Sequence, residues 1–119
     1  MSEASAPAMS VVIPTFNRLP RLKQVLGALA KQSLDNDLFE VVVVSDGSTD
    51  GTKEYLSGVT SRHLVHAHQD NAGPGAARNR GVQLARGRLI LFIDDDIVAT
   101  PTLVERHLAA HGEIGRAHV

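Results

Sequence analysis

The run Leu89-Ile90-Leu91-Phe92-Ile93, followed directly by Asp94-Asp95-Asp96, is the stretch that decides how this chain folds. Five consecutive apolar residues predict a strand that is buried on both faces of a parallel sheet. The three acids then lie at its carboxyl end, the edge where open α/β sheets bind ligands. Adjacent carboxylates repel one another, and a divalent cation carrying a diphosphate would relieve that repulsion. The junction predicts a metal and phosphate site, with a solvated acidic turn as the alternative.

The composition is that of a folded globular domain. Of the 119 residues, 43% are hydrophobic and 21% are charged, and the net charge of -1 gives no reason to expect nucleic acid as a partner. Cysteine is absent, which excludes disulfides and thiolate metal sites. No apolar run is long enough for a membrane segment, and Met1–Ala8 lacks a secretory signal pattern. We therefore expect a cytoplasmic location, with peripheral contact at the cytoplasmic membrane face possible for a longer protein.

Strand and helix signals alternate along the chain. The predicted strands are Ser10–Ile13, Glu40–Ser45, His63–Gln69 and Leu89–Ile93. Four helices are predicted. The first follows Asn17, the second runs from the turn Asp46–Gly51 to about Ser57, the third runs from about Ala76 to Ala85, and the fourth starts at Pro101 with Thr100 as its cap. We expect Pro14 to end the first strand, because proline cannot donate a ladder hydrogen bond, and Asn17 to cap the first helix. The order predicts an α/β domain with a Rossmann-like, mostly parallel sheet and helices on both faces. With only four strands, the domain is interpreted as truncated.

The two ends of the chain are interpreted separately from its middle. Residues 1–9 are predicted to be a flexible leader and residues 10–112 to form the folded part. Residues 113–119 are interpreted as a non-native tail. The codons ATC GGA AGA GCA CAC GTC encode Ile114–Val119, and these bases occur at the start of a widely used sequencing-library adapter. An ordinary polar tail is the alternative, and such a scar is left out of fold reasoning.

Four polar segments follow the four predicted strands. They are Pro14–Arg18, Asp46–Ser48, Asn71–Gly75 and Asp94–Asp96. Parallel strands joined by right-handed crossovers bring such segments to one edge of the sheet. Each segment alone could be a simple turn or helix cap. Together they predict one ligand site.

These segments resemble the N-terminal, donor-binding half of a family 2 glycosyltransferase with the GT-A fold. The matching residues are Val11–Arg18, Val44–Asp50, Asn71–Asn79, and Phe92–Asp96 followed by Pro101. The resemblance covers Ser10 to about His111. It implies transfer of a hexose-type sugar from a nucleotide-diphospho-sugar, with a UDP-sugar expected first, to an unknown acceptor. It also implies an inverting mechanism and a Mn²⁺ or Mg²⁺ cofactor.

The resemblance assigns roles to individual residues. The residues expected to bind the nucleotide-sugar are Pro14, Thr15, Asn17, Arg18, Asp46, Arg78, Asp94 and Asp95. Among them Asp46 is expected to bond the base, and Asp94 or Asp95 to reach the ribose or the donor sugar. Arg78 matches a basic position near the pyrophosphate, or else only caps or pairs within its helix. Asp96, together with Asp94, is expected to hold the cation.

No residue of this sequence matches the general base that an inverting transfer requires. In the family that carboxylate lies in a later, acceptor-binding half, so the chain is interpreted as a fragment that is inactive alone. Two other readings stay open. One is a nucleotide-binding module, or an incomplete piece, without catalysis. The other is a haloacid-dehalogenase-like phosphatase, which also has Asp-x-Asp after a buried strand, although there the motif normally follows the first strand. His66 and His68 are expected at the surface rather than in a metal site.

Overall fold

The computed structural model describes residues 7–32, 38–59, 61, 63–95, 103 and 106. Strands and helices alternate along them as β1 (Met9–Thr15), α1 (Leu19–Ala30), β2 (Phe39–Asp46), α2 (Thr52–Ser57), β3 (Leu64–Gln69), α3 (Pro74–Leu84) and β4 (Leu89–Phe92). The four strands pair in parallel in the order β3-β2-β1-β4. The predicted α/β class with a parallel sheet is confirmed. The predicted helix from Pro101 lies largely outside the described residues. None of the described helices has the length and apolar character needed to cross a membrane.

Apolar side chains cover both faces of the two central strands. On one face, Ile13 and Val43 pack against Leu22 of α1 and Leu56 of α2. On the other face, Val12, Val42 and Val44 pack against Ala77 of α3. This double burial explains why Val41–Val44 is apolar without alternation, as expected for a central parallel strand. Helices therefore lie on both faces of the sheet, as predicted.

Helix α3 lies very close to β1. Its buried residues are Ala77 and Gly81, both of them small. A Cβ atom built on Gly81 would overlap the side chain of Val12. The glycine is therefore needed for the close approach of helix and strand, which brings the start of α3 to the carboxyl edge of the sheet.

A buried carboxylate holds the opposite, amino-terminal edge of the sheet together. Glu40 of β2 is 1% exposed. Its Oε2 accepts hydrogen bonds from the Ser10 hydroxyl at 2.6 Å and from the Arg86 backbone N–H at 2.7 Å. The Arg86 side chain donates to Oε1 at 3.2 Å. The charge is thus paired and its acceptors are used, as a buried carboxylate requires.

The first strand is longer than predicted at both ends. It begins at Met9, which is buried, one residue ahead of the predicted start of the strand at Ser10. It also continues through Pro14 to Thr15 instead of ending at Pro14. The carbonyl of Val12 accepts a bond from the Ile93 N–H, so Val12 and, two residues on, Pro14 direct their backbone toward β4. Strand β4 pairs only as far as Val12, so Pro14 breaks no bond of this ladder.

Strand β4 was expected to be buried on both faces, and this is only half correct. Leu89 and Leu91 are buried, whereas Ile90 and Phe92 are partly buried. Helix α3 packs over β1 and β2, and Ile90 and Phe92 lie at the margin of that cluster. The two faces of β4 are therefore covered unequally.

His66 and His68 of the edge strand β3 are less exposed than a surface position would suggest. Both are partly buried, and Nδ1 of His66 lies 3.0 Å from Nε2 of His68, at hydrogen-bond distance. Nδ1 of His68 is buried and has no partner within the described residues. Burial lowers the pKa of His68, and the charges of His66 and Lys53 lower it further, while Glu54 acts in the opposite direction. The pair thus favours an uncharged His68.

Replacing Glu40 tests the buried network at the amino-terminal edge. Glu40→Ala should lower the free energy of unfolding by about 3 kcal/mol, because Ser10 and Arg86 lose their common acceptor. Glu40→Gln, which keeps an acceptor oxygen, should lose less. The measurement is urea unfolding followed by circular dichroism. Equal stability of Glu40→Ala and the unsubstituted chain would contradict the assignment.

The histidine pair predicts a pH dependence of stability. Because the pKa of His68 in the folded state lies below its ordinary value of 6.5, the unfolded chain binds the proton more readily. The free energy of unfolding should therefore fall as the pH drops below about 6.5, and should be fully retained above it. Denaturant titrations at about every pH unit between pH 5 and pH 8 would measure how the free energy of unfolding depends on pH. His68→Gln should flatten the slope and His63→Gln should not.

Candidate functional site

A cleft lies at the carboxyl edge of the sheet. Its volume is about 420 Å³. Its walls come from all four strand ends and from the first turns of α3; the lining residues are Pro14, Thr15, Phe16, Arg18, Asp46, Asn71, Gly73, Pro74, Ala77, Arg78, Asp94 and Asp95. The four polar segments that the sequence placed at one edge do meet there, because all the strands are parallel.

The β1–α1 and β2–α2 loops are bonded to each other. The Asn17 N–H donates to the Ser48 hydroxyl at 3.0 Å, and the Asn17 side-chain oxygen accepts from the Thr49 N–H at 2.7 Å. Asn17 has a φ of 52°, in the left-handed region that asparagine tolerates. Asn17 therefore braces the two loops and is not among the residues that line the cleft.

The expected helix cap at Asn17 is wrong. Arg18 is the N-cap residue of α1, and its side chain makes no capping bond. A carboxylate from the neighbouring loop serves instead, since Asp50 Oδ2 accepts from the Leu19 N–H at 3.0 Å. Oδ1 of Asp50 also accepts from the hydroxyl and N–H of Thr52 at 2.6 and 3.2 Å. Burial alone would raise the pKa of Asp50, but these hydrogen bonds outweigh it and lower the pKa below its ordinary value.

Asp46 organises the β3–α3 loop. It is 4% exposed at the end of β2. Its Oδ1 accepts from the Gln69 side chain at 2.9 Å and from the Ala72 N–H at 2.8 Å, while Oδ2 accepts from the Gly73 N–H at 2.9 Å. Burial would raise the pKa of Asp46, yet these bonds together lower it below its ordinary value. Asp46 is therefore an ionised anchor in the floor of the cleft.

Close contact between two loops also depends on Gly47. It has a φ of 82°, and a Cβ atom placed on it would lie 2.9 Å from both the Cβ and the backbone nitrogen of Asn71. Asn71 in turn donates to the Asp46 carbonyl at 3.0 Å. A larger residue at position 47 would strain its backbone and push the β3–α3 loop away.

The two described acids after β4 have different surroundings. The side chain of Asp94 is 66% exposed, and its Oδ1 lies 3.9 Å from the guanidinium of Arg78. The side chain of Asp95 is 9% exposed, with its Oδ1 3.6 Å from the guanidinium of Arg18. Its Oδ2 accepts a hydrogen bond from the Thr15 hydroxyl at 2.9 Å. The third acid, Asp96, lies outside the described residues.

Most of the predicted site residues line this cleft. Those that do are Pro14, Thr15, Arg18, Asp46, Arg78, Asp94 and Asp95. The sequence prediction left out several lining residues, namely Phe16, Asn71, Gly73, Pro74 and Ala77. Phe16 and Asn71 were within the recognised segments, but nothing in the residue pattern distinguished their side chains. Phe16 is 47% exposed where it lines the cleft.

The charges in the cleft suit an anionic ligand held with a cation. The side chains of Arg18 and Arg78 are 51% and 43% exposed, so a ligand in the cleft can reach them. The first residues of α3 line the same cleft, and a helix N-terminus favours negative charge. Asp94 offers an exposed carboxylate of the kind that hard divalent cations bind. Within the described residues no group of three candidate metal ligands occurs.

Comparison with known sequences places the chain in a family. The family model described as glycosyl transferase family 2 matches residues 10–119. The chain is 42% identical over 108 residues to the validoxylamine A glucosyltransferase of Streptomyces hygroscopicus subsp. jinggangensis, covering 88% of this chain and 26% of that protein. It is 36% identical over 111 residues to the putative glycosyltransferase EpsH of Bacillus subtilis, covering 90% and 31%. The chain thus spans about a third or less of these relatives.

Solved structures show the same architecture. The structure of S. aureus TarS 1-349 in complex with UDP-GlcNAc has a TM-score of 0.81 and 33% identity, covering 88% of this chain and 31% of that chain. The mannosyltransferase PcManGT from Pyrobaculum calidifontis, in complex with GDP-Man and Mn2+, has a TM-score of 0.68 and 28% identity, covering 76% and 28%. The predicted GT-A type of fold is confirmed by the likeness to TarS.

The anchoring role of Asp46 is tested by amide hydrogen exchange. Asp46→Ala should accelerate exchange at Ala72 and Gly73 by roughly tenfold or more, because each hydrogen bond to the carboxylate contributes about 1.5 kcal/mol. Asp70→Ala, an exposed acid of the same loop, is the matched control and should leave both rates unchanged. Unchanged exchange at Ala72 and Gly73 in Asp46→Ala would contradict the anchor.

Proposed function

The chain belongs to glycosyltransferase family 2, and from that premise we propose that its cleft binds the nucleotide-diphosphate portion of a sugar donor. The proposal is supported by the partly exposed side chains of Arg18 and Arg78, which line one cleft with the exposed carboxylate of Asp94. Guanidinium groups bind phosphate oxygens through charge-assisted hydrogen bonds. The carboxylate of Asp94 lies beside Arg78 and would face the same ligand.

The donor proposed first is a UDP-sugar. The S. aureus relative of similar fold was solved with UDP-GlcNAc, which supports this choice, although another relative was solved with GDP-Man. Asp46 is ionised and lines the cleft, so it is available as an acceptor for an N–H of the base. Its roughly four acceptor positions are used by Gln69, Ala72, Gly73 and, at 3.4 Å, Asn71, so an N–H of the base would replace the long Asn71 bond.

The proposed cofactor is Mn²⁺ or Mg²⁺. Asp94 fits a hard cation that takes oxygen ligands and completes its shell with water and donor phosphates. Asp96 is proposed as the second protein ligand from the resemblance. When bound, such a cation stabilises the negative charge that develops on the departing diphosphate. The chain's own contribution is to orient the diphosphate between the two arginines and the acidic edge.

The reaction proposed for the whole protein is inverting transfer of a hexose to an acceptor hydroxyl. That reaction needs a general base, which the resemblance assigns to a segment beyond these residues. The 119 residues are therefore proposed to bind the donor without transferring the sugar. The phosphatase alternative is set aside, since the chain belongs to a transferase family and its acidic motif follows the fourth strand in chain order.

Donor binding is tested by calorimetric titration of the chain with UDP, in the presence and absence of Mn²⁺. We expect saturable binding that Mn²⁺ strengthens. Arg78→Gln should weaken it by about tenfold or more, because a charged hydrogen bond contributes about 1.5 to 3 kcal/mol. Arg80→Gln is the matched control, since Arg80 is exposed on the same helix but does not line the cleft. Equal affinity of both variants would contradict the assignment of Arg78.

The absence of transfer is tested by incubating the purified chain with UDP-glucose or UDP-GlcNAc and a panel of sugar and polyol acceptors. Mass spectrometry should detect no glycosylated acceptor. Donor binding without transfer would match the proposal, and detectable transfer would overturn the claim that the general base is missing.

A further inference from the structure

Asp94 and Asp95 are adjacent in sequence, yet only one of them is open to a ligand. The side chain of Asp94 is 66% exposed and its distance to Arg78, 3.9 Å, is that of a loose ion pair. The side chain of Asp95 is 9% exposed. The two acids follow the end of β4, and their contacts differ.

Asp95 connects β4 with the end of β1. Thr15, the last residue of β1, donates its hydroxyl to Asp95 Oδ2 at 2.9 Å, and the residue is only 3% exposed. The backbone ladder between these strands pairs no farther than Val12 with Phe92, and its last bond is from the Ile93 N–H to the Val12 carbonyl. Beyond that point the Thr15–Asp95 bond joins the two strand ends across the cleft floor.

Asp95 also restrains Arg18. The guanidinium of Arg18 lies 3.6 Å from Asp95 Oδ1, and Arg18 belongs to the loop that forms one wall of the cleft. The carboxylate thus contacts two residues of the β1–α1 segment at once. A carboxylate that turned toward a bound cation would leave the buried Thr15 hydroxyl without this acceptor and would give up the contact with Arg18.

We propose that Asp95 is a positioning residue, which ties Thr15 and Arg18 to the end of β4 and so leaves Asp94 as the carboxylate that meets the ligand. The inference rests on the proposed donor-binding function. It changes the role that the resemblance implied for Asp95, from direct contact with the donor to support of the cleft. Of the two acids, the buried Asp95 connects the strand ends and the exposed Asp94 contacts the bound ligand.

The first test compares cation dependence in two isosteric variants. Asp95→Asn retains an acceptor for Thr15, so UDP binding should still respond to Mn²⁺ with a half-saturating concentration within about twofold of the unsubstituted chain. Asp94→Asn should raise that concentration by about tenfold or more, because a carboxylate oxygen that faces the cation is lost. A large increase in Asp95→Asn would overturn the proposal.

The second test is a double-mutant cycle between Thr15→Val and Asp95→Ala, read as melting temperature and as UDP affinity. If Asp95 acts through Thr15, each single variant lowers both quantities and the double variant is little worse than Asp95→Ala alone. Additive effects would mean that the two residues act independently, and would contradict the proposal. Arg80→Gln again serves as the control and should behave like the unsubstituted chain.

The two tests also separate this inference from the proposed function. If the unsubstituted chain binds no UDP, the donor-binding proposal fails, and the cycle in melting temperature still decides whether Asp95 and Thr15 are coupled. If the chain binds UDP and Asp95→Asn loses its response to Mn²⁺ while Thr15→Val keeps it, donor binding stands and the positioning role fails.

Discussion

The parallel pairing of β1 with β2 on one side and β4 on the other is the constraint on which the cleft depends. Because these strands run in the same direction, the loops after them open at one edge of the sheet. Their valines are covered on both faces by helices, so a shift of one residue in register would exchange the side chains packed on α1 for those packed on α3. The burial of β1 and β2 therefore fixes where each loop begins.

Hydrogen bonds between loops then shape the edge. Asp46 anchors the β3–α3 loop through the Ala72 and Gly73 amides, and Asp50 caps α1 from the β2–α2 loop. Both carboxylates are kept ionised because the hydrogen bonds that they accept outweigh the cost of burial. Asp46 and Asp50 therefore stabilise the loops around the cleft before any ligand binds. Replacing one of them would change the shape of the cleft as well as its charge.

The acids and bases of the cleft balance one another in pairs. Arg18 lies beside Asp95 and Arg78 lies beside Asp94, and these contacts relieve part of the repulsion between the neighbouring carboxylates. Under the proposed function, a cation held by Asp94 would compete with Arg78 for that carboxylate and would leave more of the Arg78 charge for the diphosphate. Nucleotide and cation are therefore expected to strengthen each other's binding, which is a reciprocal coupling.

The sequence by itself determined the order of strands and helices, the parallel sheet and most of the residues at the cleft. These follow from local patterns, namely the apolar runs of Val41–Val44 and Leu89–Ile93 and the polar segments after each strand. Tertiary structure alone decided which carboxylates are used for support. Nothing local distinguishes Asp94 from Asp95, and it is Asp95 that contacts Arg18 and Thr15, the latter 80 residues away. In the same way, asparagine is a residue type that commonly caps helices. Here Asp50 of the neighbouring loop accepts the hydrogen bond from the start of α1, while the Asn17 side chain accepts one from the Thr49 N–H. Such outcomes depend on which distant groups lie next to a side chain in the folded protein, and packing decides this rather than local propensity.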